Sequence, residues 1–152
     1  MHTYALVISE YLVMCASAAF AYRQGGVPEK LGALLFGSNI VIGAAVGFSG
    51  TSSPIVQLIA DGVFALGLLP LAMIFVSCWI GVVTFIAAAL FALEALYLLN
   101  NWPIDKAYLW INNSLWLLVP LVFLISGFSN LVNKRRMVRV SGQPSSVASA
   151  IG

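Results

Sequence analysis

Three carboxylates stand inside apolar stretches that contain no Lys or Arg: Glu10 within Tyr4–Tyr22, Asp61 within Pro54–Phe75 and Glu94 within Trp79–Leu99. Carboxyl groups gathered in a medium of low dielectric can hold and release a proton, or share a cation with amide oxygens. Amides are at hand in Asn112 and Asn113 of the last apolar stretch, and in Gln57 one helical turn before Asp61. Two other readings stand beside this one. Each carboxylate could be protonated or hydrogen-bonded to a neighbour such as Asn112 or Tyr97, or an Arg or Lys in another membrane protein's span could pair with it. The remaining reactive residue types mostly exclude. His2 is the single histidine, so bis-histidine haem ligation, a His-based triad and a HExxH zinc site are ruled out within one chain. Cys15 and Cys78 have no second thiol or histidine at metal-ligand spacing and read as small apolar packers. The residues therefore predict a non-enzymatic chain with no cofactor and no metal centre.

The elements that must position these groups follow from composition. Of 152 residues, 61% are hydrophobic and 8% charged, with a mean hydropathy of +1.01. That leaves too little polar side chain to cover a water-soluble globule, so the lipid bilayer is the expected solvent. The predicted fold class is all-α, a polytopic transmembrane helical bundle. A first span covers 4–22 and ends at the polar connection Arg23–Lys30; a second covers 31–50 and closes at Thr51–Pro54. The apolar run from Ile55 to Leu99 would reach about 67 Å as one straight helix, against a bilayer core of about 30 Å, so it must fold back. The turn falls at Val76–Trp79, leaving spans 54–75 and 79–99, with Ser53 capping the former. A fifth span covers 104–131. The run Tyr4–Met14 before Ala16–Ala19 has some look of a signal peptide, but Glu10 interrupts it and no Lys or Arg precedes it.

Charge bias orients the five spans. With the N-terminus out and the C-terminus in, Arg23, Lys30, Lys134, Arg135, Arg136 and Arg139 are all cytoplasmic and Lys106 alone is outside. At 1.5 Å per residue, Glu10, Asp61 and Glu94 then each lie about 9–10 Å below the outer helix ends, with Asn112 and Asn113 near the same level.

Helix packing is expected on the second span, where Gly43 and Gly47 form a GxxxG pair and Ala33 and Gly37 repeat the small-residue spacing. Asn39 is expected to bond to a neighbouring helix. Pro70 and Pro120 fall inside spans and are expected to kink them. Residues 134–152 read as a basic, disordered cytoplasmic tail whose Lys134, Arg135, Arg136 and Arg139 face anionic lipid head groups rather than nucleic acid.

The stretch Tyr22-Arg23-Gln24-Gly25-Gly26-Val27-Pro28-Glu29-Lys30-Leu31-Gly32-Ala33, followed by a span containing Asp61-Gly62, resembles a loose group of small uncharacterised multi-pass bacterial inner-membrane proteins. The resemblance implies a bacterial inner membrane and no activity. The function read from these residues is that of a non-enzymatic accessory, assembly or structural subunit that packs against a partner protein or a second copy. The alternative is a small transporter or channel component that moves protons or cations through the carboxylate level.

Overall fold

A computed structural model describes residues 2–48 and 54–141, with side chains at 8–46 and 54–136. Five helices account for nearly all of it: α1 (His2–Gln24), α2 (Val27–Phe48), α3 (Pro54–Phe75), α4 (Cys78–Leu99) and α5 (Lys106–Ser141). Among the described residues, α2 to α5 each contain a stretch long and apolar enough to cross a membrane, which marks a multi-pass membrane protein. α1 packs against α2 and α5, α3 against α2 and α4, and α4 against α5. The five thus close into a ring, with α2 also touching α5 across it.

Both the inside and the outside of this ring are apolar. Phe36, Phe64, Leu68, Ile80, Leu90 and Phe123 fill the interior, while Leu66, Met73, Phe85 and Trp110 point outward. Helices that are hydrophobic all round are at home in lipid. Cys15 and Cys78 are on the outward side, exposed rather than packed. A thiol is apolar enough to face lipid, so sequence cannot tell packing from lipid exposure.

The connections are tight, and their residues show why. α1 and α2 are joined through Gly25 and Gly26, with Gly25 N–H donating to Ala21 O at 2.8 Å. A Cβ at Gly25 would collide with the Cβ of Glu29 and come within 2.5 Å of the Ala21 carbonyl oxygen. α2 starts at Val27, four residues before the expected span, because Gly26-Val27-Pro28-Glu29 is a helix start. Pro28 in the first turn costs no hydrogen bond, and the Glu29 carboxylate reaches back to accept from Gly26 N–H at 2.8 Å.

At the α3–α4 turn, Val76 adopts φ 39°, and Ser77 flanks α4 with its carbonyl accepting from Ile80 and Gly81 N–H. At the far end Asn101, at φ 50°, closes α4, with Trp102 N–H donating back to Tyr97 O at 3.0 Å. Asparagine tolerates this left-handed conformation, whereas a β-branched valine is strained in it. Val76→Gly is therefore expected to stabilise the bundle by about 1 kcal/mol, read as a raised unfolding midpoint in detergent. An unchanged or lowered midpoint would show that Val76 is not strained.

α5 is longer than the expected span, continuing as helix to Ser141. Lys134, Arg135 and Arg136 therefore extend from its exposed last turns, and Arg139 lies on the same helix, rather than on a disordered tail. Lys and Arg are good helix formers and interact favourably with a helix C-terminus, so a basic run after an apolar span extends it. Residues 142–152 and Ser53 lie outside the described residues, and of Gly47 only its place in α2 is described. Pro70 and Pro120 both sit within continuous helices.

Within the chain, neither Gly37 nor Gly43 makes a close helix contact. A Cβ at Gly37 would meet nothing within 4 Å, and one at Gly43 would meet only the Tyr11 hydroxyl and the Gln57 Oε1 at van der Waals distance. Ala33 is buried in the core as expected. A Cβ would be crowded instead at Gly127, 2.7 Å from the Phe20 ring, at Gly32, 3.0 Å from Trp79, and at Gly62 and Gly67, 3.1 Å from Phe91 and Leu35. The GxxxG spacing puts small residues on one helix face, but that face can border a cavity as readily as a helix, and at Gly43 it does.

Candidate functional site

Asp61 projects from α3 into the ring and is 1% exposed. Its Oδ1 accepts from Asn39 Nδ2 of α2 at 3.1 Å, the cross-helix bond expected of Asn39. Glu94 of α4, also buried, is its immediate neighbour, and the two carboxyls interact directly. Asp61 Oδ2 and Glu94 Oε2 are buried with no hydrogen-bond partner among the described residues. Unpartnered oxygens on adjacent buried acids are costly unless positive charge is supplied. No Lys or Arg lies between Lys30 and Lys106 or between Lys106 and Lys134, so none of these helical interiors supplies it.

Two cavities adjoin this region, one lined by Glu94 and the other by Asn39, the partner of Asp61. A smaller one, of about 230 Å³, is lined by Glu10, Asn39, Gly43, Gln57, Asn112 and Asn113, with Trp116 among its apolar walls. A larger one, of about 580 Å³, is lined by Glu94, Gln57 and the rings of Tyr11, Tyr97, Trp102 and Tyr108. Tyr11, Gly43 and Gln57 border both. At Gly43 a Cβ would come 3.8 Å from the Tyr11 hydroxyl and 4.0 Å from Gln57 Oε1, the two other residues that both cavities share.

The structure brings the five expected polar residues into one region but not into one cluster. Asp61 and Glu94 form the buried pair. Glu10 is exposed on α1, Asn113 is exposed and Asn112 is half-buried, and all three line the smaller cavity. Among the described residues no three acidic, His or Cys side chains converge. Equal depth along the helices is set by residue count, whereas convergence also requires the right rotation of each helix. The Asn112 Oδ1 is buried and lacks a hydrogen-bond partner, and Tyr97 bonds to Asp105 rather than to a carboxylate in a span.

Asp105 precedes α5 and caps it. Its Oδ1 accepts from Tyr108 N–H at 2.7 Å and from the Tyr97 hydroxyl at 3.1 Å. The backbone donor is the main cause that holds this carboxyl below the usual aspartate range. Tyr97 in turn lies edge-on to Trp102, with ring centroids 5.4 Å apart, and 4.7 Å from Tyr108. Cap and rings together form the wall of the larger cavity at the α4–α5 end.

Sequence reasoning missed a third buried carboxylate, at the opposite, basic end. Glu29 Oε1 accepts from Trp79 Nε1 of α4 at 3.0 Å and from Ser126 Oγ of α5 at 3.2 Å, while Oε2 accepts from Gly26 N–H. In the sequence it falls in the polar connection Arg23–Lys30. The helix-start pattern Gly26-Val27-Pro28-Glu29 carried a local signal; nothing in the sequence pointed to Trp79 or Ser126, which are distant in the chain. Between Glu29 and the cavities the interior is aromatic, with Phe36 stacked between Trp116 and Phe123.

No protein family matches the chain, and no curated protein or solved structure is detectably similar to it.

Proposed function

We propose that this chain is a small membrane transporter or channel component that binds and releases a proton or a cation at the Asp61–Glu94 pair. The observation that carries this reading is a pair of adjacent buried acids with unpartnered oxygens and no basic side chain in the apolar helices. A shared proton or a bound cation supplies the missing charge. Asn39 holds Asp61 in place, and Gln57, Asn112 and Asn113 offer amide oxygens along the approach. In the conformation described, the site communicates with the α4–α5 end, and Phe36, Phe64 and Phe123 close the interior toward the basic end. Transport then takes a rearrangement of that aromatic layer.

Five crossings with the N-terminus outside complete the reading. α1, at 23 residues, is about 34 Å long, enough to cross beside its neighbours. Arg23, Lys30, Lys134, Arg135 and Arg136 belong to helix ends at one side of the bundle, the side the positive-inside rule makes cytoplasmic. That orientation and the likeness noted from the sequence support a bacterial inner membrane.

The test is flux into proteoliposomes. The wild type is expected to dissipate an imposed proton or monovalent-cation gradient, and Asp61→Asn and Glu94→Gln each to reduce the rate at least tenfold. Glu10→Gln, at an exposed position beside the smaller cavity, is expected to cost several-fold at most. A wild type with no flux, or two amide variants as active as wild type, ends this reading.

One observation favours a role as accessory subunit instead. Glu10 is exposed on α1, where an Arg or Lys in a partner's span could reach it, while Asp61 and Glu94 are enclosed. A stoichiometric partner that co-purifies in mild detergent and is lost in Glu10→Gln would establish that role. Purification of the wild type as a lone species would remove it.

A further inference from the structure

The larger cavity is far roomier than a proton needs, and its walls are chemically specific. We infer that it binds an amphipathic organic cation: a monovalent ammonium or phosphonium carrying apolar groups. The inference rests on the reading of the Asp61–Glu94 pair as a site short of positive charge.

Three features select this ligand class. Glu94 lines the cavity, is more than nine-tenths buried, and its Oε2 has no partner. Four aromatic residues, Tyr11, Tyr97, Trp102 and Tyr108, line the same space, and aromatic side chains attract cations. Tyr97 is already held by its bond to Asp105 and by the Trp102 and Tyr108 rings, so its position is set before a ligand arrives. The volume of about 580 Å³ falls in the range of small-molecule sites, roughly 300–1,000 Å³. A divalent metal ion, by contrast, seeks about six or more oxygen ligands, and the cavity's acidic lining is Glu94 alone. Entry is from the α4–α5 end, where the lining residues Asn101, Trp102 and Ile104 are exposed.

Radiolabelled tetraphenylphosphonium binding to the purified full chain in nanodiscs tests the inference. The expected result is saturable binding at one site per chain, whereas the near-isosteric anion tetraphenylborate, labelled and assayed separately because the two ions pair in solution, shows none. Affinity should fall at least tenfold in Glu94→Gln and several-fold in Trp102→Ala. The inference is overturned if the wild type shows no saturable binding, if tetraphenylborate binds saturably with similar affinity, or if Glu94→Gln binds like wild type. The ligand pair makes the wild type alone decisive should a variant fail to fold. Flux sensitive to Asp61→Asn and Glu94→Gln without tetraphenylphosphonium binding overturns this inference and leaves the proton or inorganic-cation reading standing. Glu94-dependent binding in a chain with no flux upholds the site and removes transport.

Discussion

Glu29→Ala is expected to destabilise the folded bundle by about 3–5 kcal/mol, the largest loss from any single polar substitution. The carboxylate accepts from Gly26 N–H, Trp79 Nε1–H and Ser126 Oγ–H, joining the α1–α2 connection to α4 and α5 at one point. Alanine removes both acceptor oxygens, and with them three hydrogen bonds, and leaves the part-buried indole and the buried hydroxyl without their acceptor. Hydrogen bonds to a charged group contribute about 1.5–3 kcal/mol each, and the serine can recover part of its share by bonding to its own helix. Glu29→Gln is the sharper control. A glutamine amide keeps one acceptor oxygen, so it can serve the Trp79 and Ser126 donors or the Gly26 N–H, but it then turns an NH₂ toward the other side. It should lose about half as much. Reversible unfolding in mixed micelles, followed by tryptophan fluorescence, measures both variants. An alanine variant within about 0.5 kcal/mol of wild type would show that the three bonds add nothing net to stability.

Phe36→Ala is expected to cost about 3 kcal/mol and to open the interior. Phe36 is fully buried, with ring centroids 5.3 Å from Phe123, 6.0 Å from Phe64 and 6.3 Å from Trp116. Truncating such a ring in a water-soluble core costs about 3–5 kcal/mol. In lipid the transfer term largely disappears, because side chains leave hydrocarbon for hydrocarbon, and the packing and cavity terms remain. The lower end of that range is therefore the expectation. The second consequence is functional. Trp116 lines the smaller cavity, and Phe123 lies 5.4 Å from Trp79, which bonds to Glu29. Phe36 is thus the plug between the Asp61–Glu94 region and the Glu29 latch. Removing it should raise passive proton leak in proteoliposomes several-fold, and Phe36→Leu should leave the leak near wild type. A Phe36→Ala variant that is destabilised but no leakier would place the permeability barrier elsewhere.

The polar residues divide according to what local pattern can report. The depth of Glu10, Asp61, Glu94, Asn112 and Asn113 follows from helix rise, and all five border or form one region. Which of them touch depends on helix rotation. In helices that are apolar all round, no amphipathic stripe reveals the inward face. That is why Glu10 could not be told from its two buried counterparts, and why Gly37 and Gly43 read as packing residues while Gly32 and Gly127 escaped notice. Glu29 was hidden by the opposite bias: a charged residue beside a glycine pair looks like loop.

The amino-acid sequence by itself determined that the chain is a multi-pass helical membrane protein, where most helices start and stop, and that acids without bases lie within the apolar stretches. These follow from hydrophobic length, turn-forming residues and charge bias, all properties of short segments. The tertiary structure alone decided that Asp61 and Glu94 form a pair, that Asn39 holds Asp61, that an aromatic-walled cavity reaches Glu94, and that Glu29 ties three segments together. Such contacts join residues on different helices, and they depend on how each helix is turned in the ring, which uniform hydrophobicity leaves unspecified until the helices pack.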